Sequence, residues 1–122
     1  MNENTGPSYE KVAHHPLDAM VVGQNNHAVL LENESVRVLD TWVSAGQRTA
    51  IHSHEWPSTL YVLSWSDFVR FDADGTVLVD SREMPSKPAA GAVLWSAPLP
   101  PHYVQNVGEG DLHVIAVELK GG

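Results

Sequence analysis

Leu112-His113-Val114-Ile115-Ala116-Val117-Glu118-Leu119 decides the fold class. Its run of β-branched and apolar residues, entered through the tight turn Gly108-Glu109-Gly110-Asp111, reads as a strand. Working back from it, Tyr103-Val104-Gln105 and Val93-Leu94-Trp95, the latter behind Gly91, read the same way. Phe68-Val69-Arg70-Phe71 and Thr76-Val77-Leu78-Val79 flank Asp72-Ala73-Asp74-Gly75, and Asp-Gly between two β runs predicts a hairpin. Leu60-Tyr61-Val62-Leu63 is rich in strand formers. Val36 to Val43 predicts a strand with Val36, Val38, Asp40 and Trp42 on one face, and the turn Glu32-Asn33-Glu34-Ser35 links it back to His27-Ala28-Val29-Leu30-Leu31. The β signal runs from Ala19 onward, no stretch keeps a helical period over three turns, and there is no internal repeat. The expectation is an all-β sandwich or barrel with little or no helix.

A chain of 122 residues, 43% apolar, fits one domain with its own core. Residues 1–18 are polar and unpatterned and read as a flexible N-terminal arm, or as an arm that pairs with a partner subunit; residues 19–122 form the domain. The proline-bearing stretch from Pro85 to Pro88 is a loop rather than a linker. The chain has no cysteine, which excludes disulfides, thiolate metal sites and cysteine nucleophiles and leans toward a reducing, cytoplasmic location. With a net charge of −8 and no basic stripe, nucleic acid is not an expected partner. No apolar run spans a bilayer, and the first residues lack the pattern of a signal peptide.

Seven histidines stand out, two of them as His52-Ser53-His54. Residues i and i+2 of a strand share a face, so these imidazoles can begin a metal site, although such pairs also arise on ordinary surfaces. His102 follows Pro98-Leu99-Pro100-Pro101, a run expected as a loop or edge at a barrel rim because proline cannot donate to a central ladder.

The spacing Gly46-x5-His52-x-His54, followed by Gly91-x10-His102-x3-Asn106, resembles the two motifs of the cupin superfamily, in the manner of small RmlC-like cupins. The resemblance runs over residues 28–119 and implies a single β-barrel of the double-stranded β-helix or jelly-roll kind. It implies one divalent metal ion (iron, manganese, nickel or zinc) on His52, His54 and His102, with Asn106 orienting ligands from behind, and a homodimer built through edge strands or the N-terminal arm. The sequence departs from the motifs as well. The family glutamate falls at Ser58, or at Thr59 with the longer spacing; the first motif's later glycine falls at Trp65, and the second motif's proline and glycine fall at Ala97 and Leu99. Three neutral imidazoles leave the metal's charge undiminished, which favours an anionic chelating ligand such as an enolate, a catecholate or an α-keto acid.

Trp56, Ser58, Tyr61, Trp65 and Tyr103 neighbour the motif segments and are expected to line a substrate pocket, whereas Trp42 and Trp95 are expected to fill the core. Glu55, next to His54, is expected to point outward as a solvated carboxylate rather than to replace the missing ligand. Asp40 and Glu118 can face inward as a general base, or be ordinary paired or exposed carboxylates. His14, His15, His27 and His113 read as surface or core residues. Three functions compete at this point. One is a metalloenzyme of the non-haem dioxygenase or isomerase/lyase type. Another is a barrel that binds or senses a small molecule or metal without turnover. The last is an inert barrel whose pocket Trp65 and Leu99 have filled.

Overall fold

The computed structural model describes residues 16–121. His14, His15 and most of the expected arm lie outside the described residues. The fold is built from two antiparallel sheets, as the strand pattern predicts. The strands are β1 (His27–Glu32), β2 (Val36–Val43), β3 (His52–His54), β4 (Ser58–Ser64), β5 (Phe68–Asp72), β6 (Val77–Asp80), β7 (Val93–Ser96), β8 (Leu99–Asn106) and β9 (Leu112–Leu119). One sheet has the order β1-β2-β9-β4-β7 and the other β3-β8-β5-β6.

The β2–β9 ladder fixes which residues face in. It runs unbroken from Val36↔Leu119 to Val43↔Leu112, and β4 joins the far side of β9 with Ser58↔Glu118 and Tyr61↔Ile115. With a period of two, Arg37, Leu39, Thr41 and Val43 turn inward beside Glu118, Ala116 and Val114. Val36, Val38, Asp40 and Trp42 do share one face, and it is the outer one. Trp95 pairs with Thr59 on that outer face and is 62% exposed, so it does not fill the core as expected. The same alternation turns Tyr61 outward opposite Val93, where it is 46% exposed.

The apolar core is small: Leu39, Val43, Val62, Val69 and Ala116 are buried, with Ala19 at its margin. Much of the interior is polar, and it is paired. Arg37 donates from Nη1 and Nη2 to the two carboxylate oxygens of Asp18 (3.0 and 3.1 Å) and from Nε to Glu118 at 2.6 Å. All three side chains are almost wholly buried. A planar guanidinium held between two carboxylates satisfies charge and hydrogen bonding together.

Asp18 also caps a single helical turn, α1 (Ala19–Val22), accepting from Met20 N at 2.9 Å. The sequence reading expected β structure from Ala19. One turn is too short to display a helical period, and the capping aspartate is its only local sign. Asp18 and Leu17, assigned to the arm, are packed: Leu17 O accepts from Ser53 N at 2.6 Å. Gly23 ends the turn at a close approach, where a Cβ would lie 2.7 Å from Ala19 O and 2.9 Å from His27 Nδ1.

The Asp72–Gly75 hairpin forms as predicted, with Gly75 at φ +90° and Asp72 Oδ1 accepting from Asp74 N and Thr76 N. Pro100 and Pro101 lie inside β8 rather than in a loop. They are tolerated because β5 reaches only as far as His102 on one side, while the β3 pairing on the other side shifts register between His52 and His54.

Candidate metal centre

His52 and His102 are register partners across the β3–β8 ladder, and His54 follows two residues along β3. The bulge between His52 and His54 does not separate them, and their ring centroids are 5.1 Å apart. His102 lies 4.5 Å from His52 and 5.8 Å from His54 by the same measure. The three histidines of the sequence motifs therefore do come together. A fourth joins them. His27, read from sequence as an ordinary surface or core residue, enters from β1 at 4.9 Å from His52 and 5.3 Å from His54. One ring nitrogen from each of His27, His52 and His54 lies within 4.8 Å of the others.

Each ring is held by its Nδ1. His27 bonds to Gly23 O (2.8 Å), His52 to Ala50 O (2.7 Å) and His102 to Pro100 O (2.8 Å). His54 bonds to Glu118 Oε2 at 2.9 Å. A carbonyl oxygen only accepts, so Nδ1 carries the proton and Nε2 keeps its lone pair. Burial opposes Glu118's ionisation, but its bonds from His54 and Arg37 outweigh this and hold its pKa below the ordinary carboxylate value, so this oxygen accepts too. Such a carbonyl or carboxylate behind an imidazole fixes tautomer and orientation for metal binding.

Burial keeps three of the rings neutral. It is the main cause that lowers His27 to about 3, His52 to about 4 and His102 to about 3, and the neighbouring imidazoles add to it. Neutral imidazoles with free Nε2 atoms are what a borderline divalent cation requires, so the donor set fits the ion that the sequence motifs imply.

The cluster lines a cavity of about 110 Å³ between the two sheets. Ser58, at the family's glutamate position, lines it together with Leu99, Thr41, Arg70 and Val104. The other expected pocket residues are elsewhere. Tyr61 is on the outer sheet face. Trp56 lies against the Arg37 guanidinium (5.0 Å) and Lys120 (5.3 Å). Trp65 meets Phe68 edge-on at 5.5 Å. Tyr103 stacks on Phe71 at 4.7 Å, on the face of β8 opposite His102. Alternation along β4 and β8 turns Tyr61 and Tyr103 away from the cavity, and Trp56 and Trp65 lie in the connections that follow β3 and β4.

Asn106 does not stand behind a histidine. Its amide donates to Val43 O and Gly110 O (2.8 Å each) and accepts from Ser66 Oγ and Gly108 N, so it knits the β8–β9 turn to the barrel wall. Glu55 is exposed, as expected. Asp40 pairs with His113 on the outer face. Glu118 faces inward with both oxygens engaged.

Solved structures share this architecture. A cupin domain from Bordetella pertussis superposes with a TM-score of 0.62 at 18% identity, covering 78% of this chain and 92% of that one. An RmlC-like cupin family protein with a double-stranded β-helix fold from Methanocaldococcus jannaschii gives 0.53 at 13% identity, covering 76% and 77%. A conserved protein with a double-stranded β-helix domain from Klebsiella pneumoniae gives 0.52 at 19% identity, covering 98% and 93%. No protein-family model matches the sequence, and no curated protein is a significant match to it. The chain has the cupin fold, a double-stranded β-helix with a histidine cluster inside that could hold a metal ion.

Proposed function

We propose that this protein is a metal-dependent cupin that acts on a small anionic molecule, with His52, His54 and His102 as ligands and His27 as a fourth donor. The observation that carries the reading is the set of four imidazoles whose Nδ1 atoms are all committed to fixed acceptors. A divalent ion bound there supplies Lewis acidity, and as iron(II) the redox chemistry of a non-haem dioxygenase. The chain's own part is to hold the imidazoles in one tautomer, to keep three of them unprotonated at neutral pH, and to surround the ion with an apolar wall. A barrel that binds without turnover is the second reading. It is favoured by Glu118, the carboxylate hydrogen-bonded to the cluster, whose oxygens are both engaged by His54 and Arg37.

The deciding experiment is elemental analysis of the purified protein beside His27→Ala, His52→Ala and His102→Ala. One iron, manganese, nickel or zinc per chain is expected, lost in His52→Ala and His102→Ala and weakened in His27→Ala. A wild-type protein that takes up no divalent ion overturns the reading.

We also propose a homodimer through the outer face of the five-stranded sheet. Tyr61, Val93 and Trp95 stand there at 46%, 64% and 62% exposure. Five strands of four to eight residues, at about 3.3 Å per residue and about 4.8 Å apart, present on the order of 500 Å². Two such faces bury about 1,000 Å², the lower bound for a specific interface, and a second copy presents the same exposed apolar face.

A further inference from the structure

Arg70 is the partly buried cation that the ion network leaves out. It sits on β5 opposite Val104, two residues along β8 from His102, and so shares His102's inward face. Its side chain lines the cavity with the four histidines. Among the described residues no carboxylate pairs with it, and its Nε is buried without a hydrogen-bond partner. Its guanidinium lies 6.0 Å from the centre of the Phe68 ring. Across the cavity, Thr41 Oγ1 is likewise buried and unpartnered, and Thr41 lines the same space. The contrast with Arg37, which makes three hydrogen bonds to two carboxylates in the same interior, is direct. Folded proteins pair their buried polar groups, and a guanidinium with a buried, unpartnered Nε at the wall of a cavity offers donors that an anion of complementary shape would satisfy.

We propose that Arg70 anchors the carboxylate of a small monocarboxylic acid in this cavity, with Thr41 as a second polar contact. The guanidinium fork matches a carboxylate with two parallel hydrogen bonds, which a chloride or a neutral amide cannot reproduce. Val104, Val114 and Leu60 form the apolar wall beside it and receive the rest of the molecule. At about 110 Å³ the space suits a body no larger than roughly a benzene ring. This inference rests on the cavity assigned above to the metal-dependent reaction and names the ligand class that the cavity admits.

The test is calorimetric titration of the purified protein with acetate, propionate and pyruvate, and with acetamide and propionamide as neutral controls. Wild type, Arg70→Met and Arg70→Lys are compared, with metal content measured in each. At least one carboxylate should bind in the millimolar range or tighter while its amide does not. Arg70→Met should weaken that binding by at least about tenfold, Arg70→Lys by less, and metal content should stay unchanged in both. Arg70→Met should also melt at a higher temperature than wild type without ligand, because a partly buried charge with an unpartnered Nε has gone. If Arg70→Met does not fold, a Lys variant that binds as tightly as wild type overturns the proposal. So does a wild type that treats acid and amide alike, or a Met variant that binds as wild type does. Carboxylate binding that depends on Arg70 in a protein that takes up no metal would sink the metal reading and leave this one standing.

Discussion

Glu118 accepts a hydrogen bond from His54 Nδ1 at 2.9 Å with one carboxylate oxygen and from Arg37 Nε at 2.6 Å with the other. Glu118 is also the register partner of Ser58, the position where cupin motifs carry a glutamate. The interior therefore keeps a carboxylate one strand away from the expected place, and uses it behind a ligand instead of as one. Glu118→Gln should lower divalent-metal affinity about 10- to 100-fold, because the amide holds the imidazole less firmly. It should also cost about 3 kcal/mol of stability, because Arg37 keeps only Asp18. Chelator competition and urea unfolding read the two effects separately, and unchanged metal affinity would remove Glu118 from the site.

Acid should unfold the metal-free protein early. His27, His52 and His102 resist protonation in the fold until about pH 3 to 4, while in the unfolded chain they titrate near 6.5. Between those values the unfolded state binds more protons, so stability rises with pH there and is lost as pH falls from about 6.5. Three such groups set a ceiling of about 4 kcal/mol per pH unit. Urea midpoints at pH 7, 6 and 5 measure the slope, and His27→Asn should reduce it by about one proton.

Loading with metal at pH 7 should release little acid. The same three imidazoles are already deprotonated at Nε2, so they give up no proton to the ion. Titration in buffers of different ionisation enthalpy counts the protons released, and more than about one per metal would contradict the assignment.

Gly23→Ala should reach the site from outside it. The added Cβ would lie 2.9 Å from His27 Nδ1 and 2.7 Å from a backbone oxygen, so the turn or the ring must move. A loss of about 1–3 kcal/mol is expected, with a displaced His27 imidazole resonance. An unshifted resonance would mean that the turn absorbs the change alone.

Trp95→Glu together with Val93→Lys should yield a monomer that still binds metal. Both residues stand on the outer sheet face, away from the cavity. Sedimentation equilibrium distinguishes the states, and a double variant that remains dimeric would move the interface to another surface.

Strands and site differed in how legible they were. The β2 and β9 patterns, the Asp-Gly hairpin and the three motif histidines could be read directly, because alternation and turn chemistry act over a few residues. What failed was facing. Tyr61, Trp65 and Tyr103 were grouped with the motif by closeness along the chain, yet the pleat or a bend carries each away from the cavity. His27 was missed for the opposite reason. It is 25 residues from His52, and only its pairing with Thr41, an inward position of β2, brings it to the cluster. The sequence signal for it is the alternation of β2, which turns Thr41 and therefore its partner inward. Asp18 and Arg70 left no local trace, since burial and pairing depend on the assembled barrel.

The four Nδ1 bonds are not alike in reach. His27, His52 and His102 lean on carbonyls four, two and two residues back in their own chain, whereas His54 leans on a residue 64 positions away. Three rings thus take their orientation from brackets close by in the sequence. The fourth is wired through Glu118 and Arg37 to Asp18, the cap of α1. That single turn holds the cluster by two threads, because Gly23, whose carbonyl brackets His27, closes its other end. A shift of α1 therefore pulls on two of the four imidazoles, one directly and one through a relay of charges.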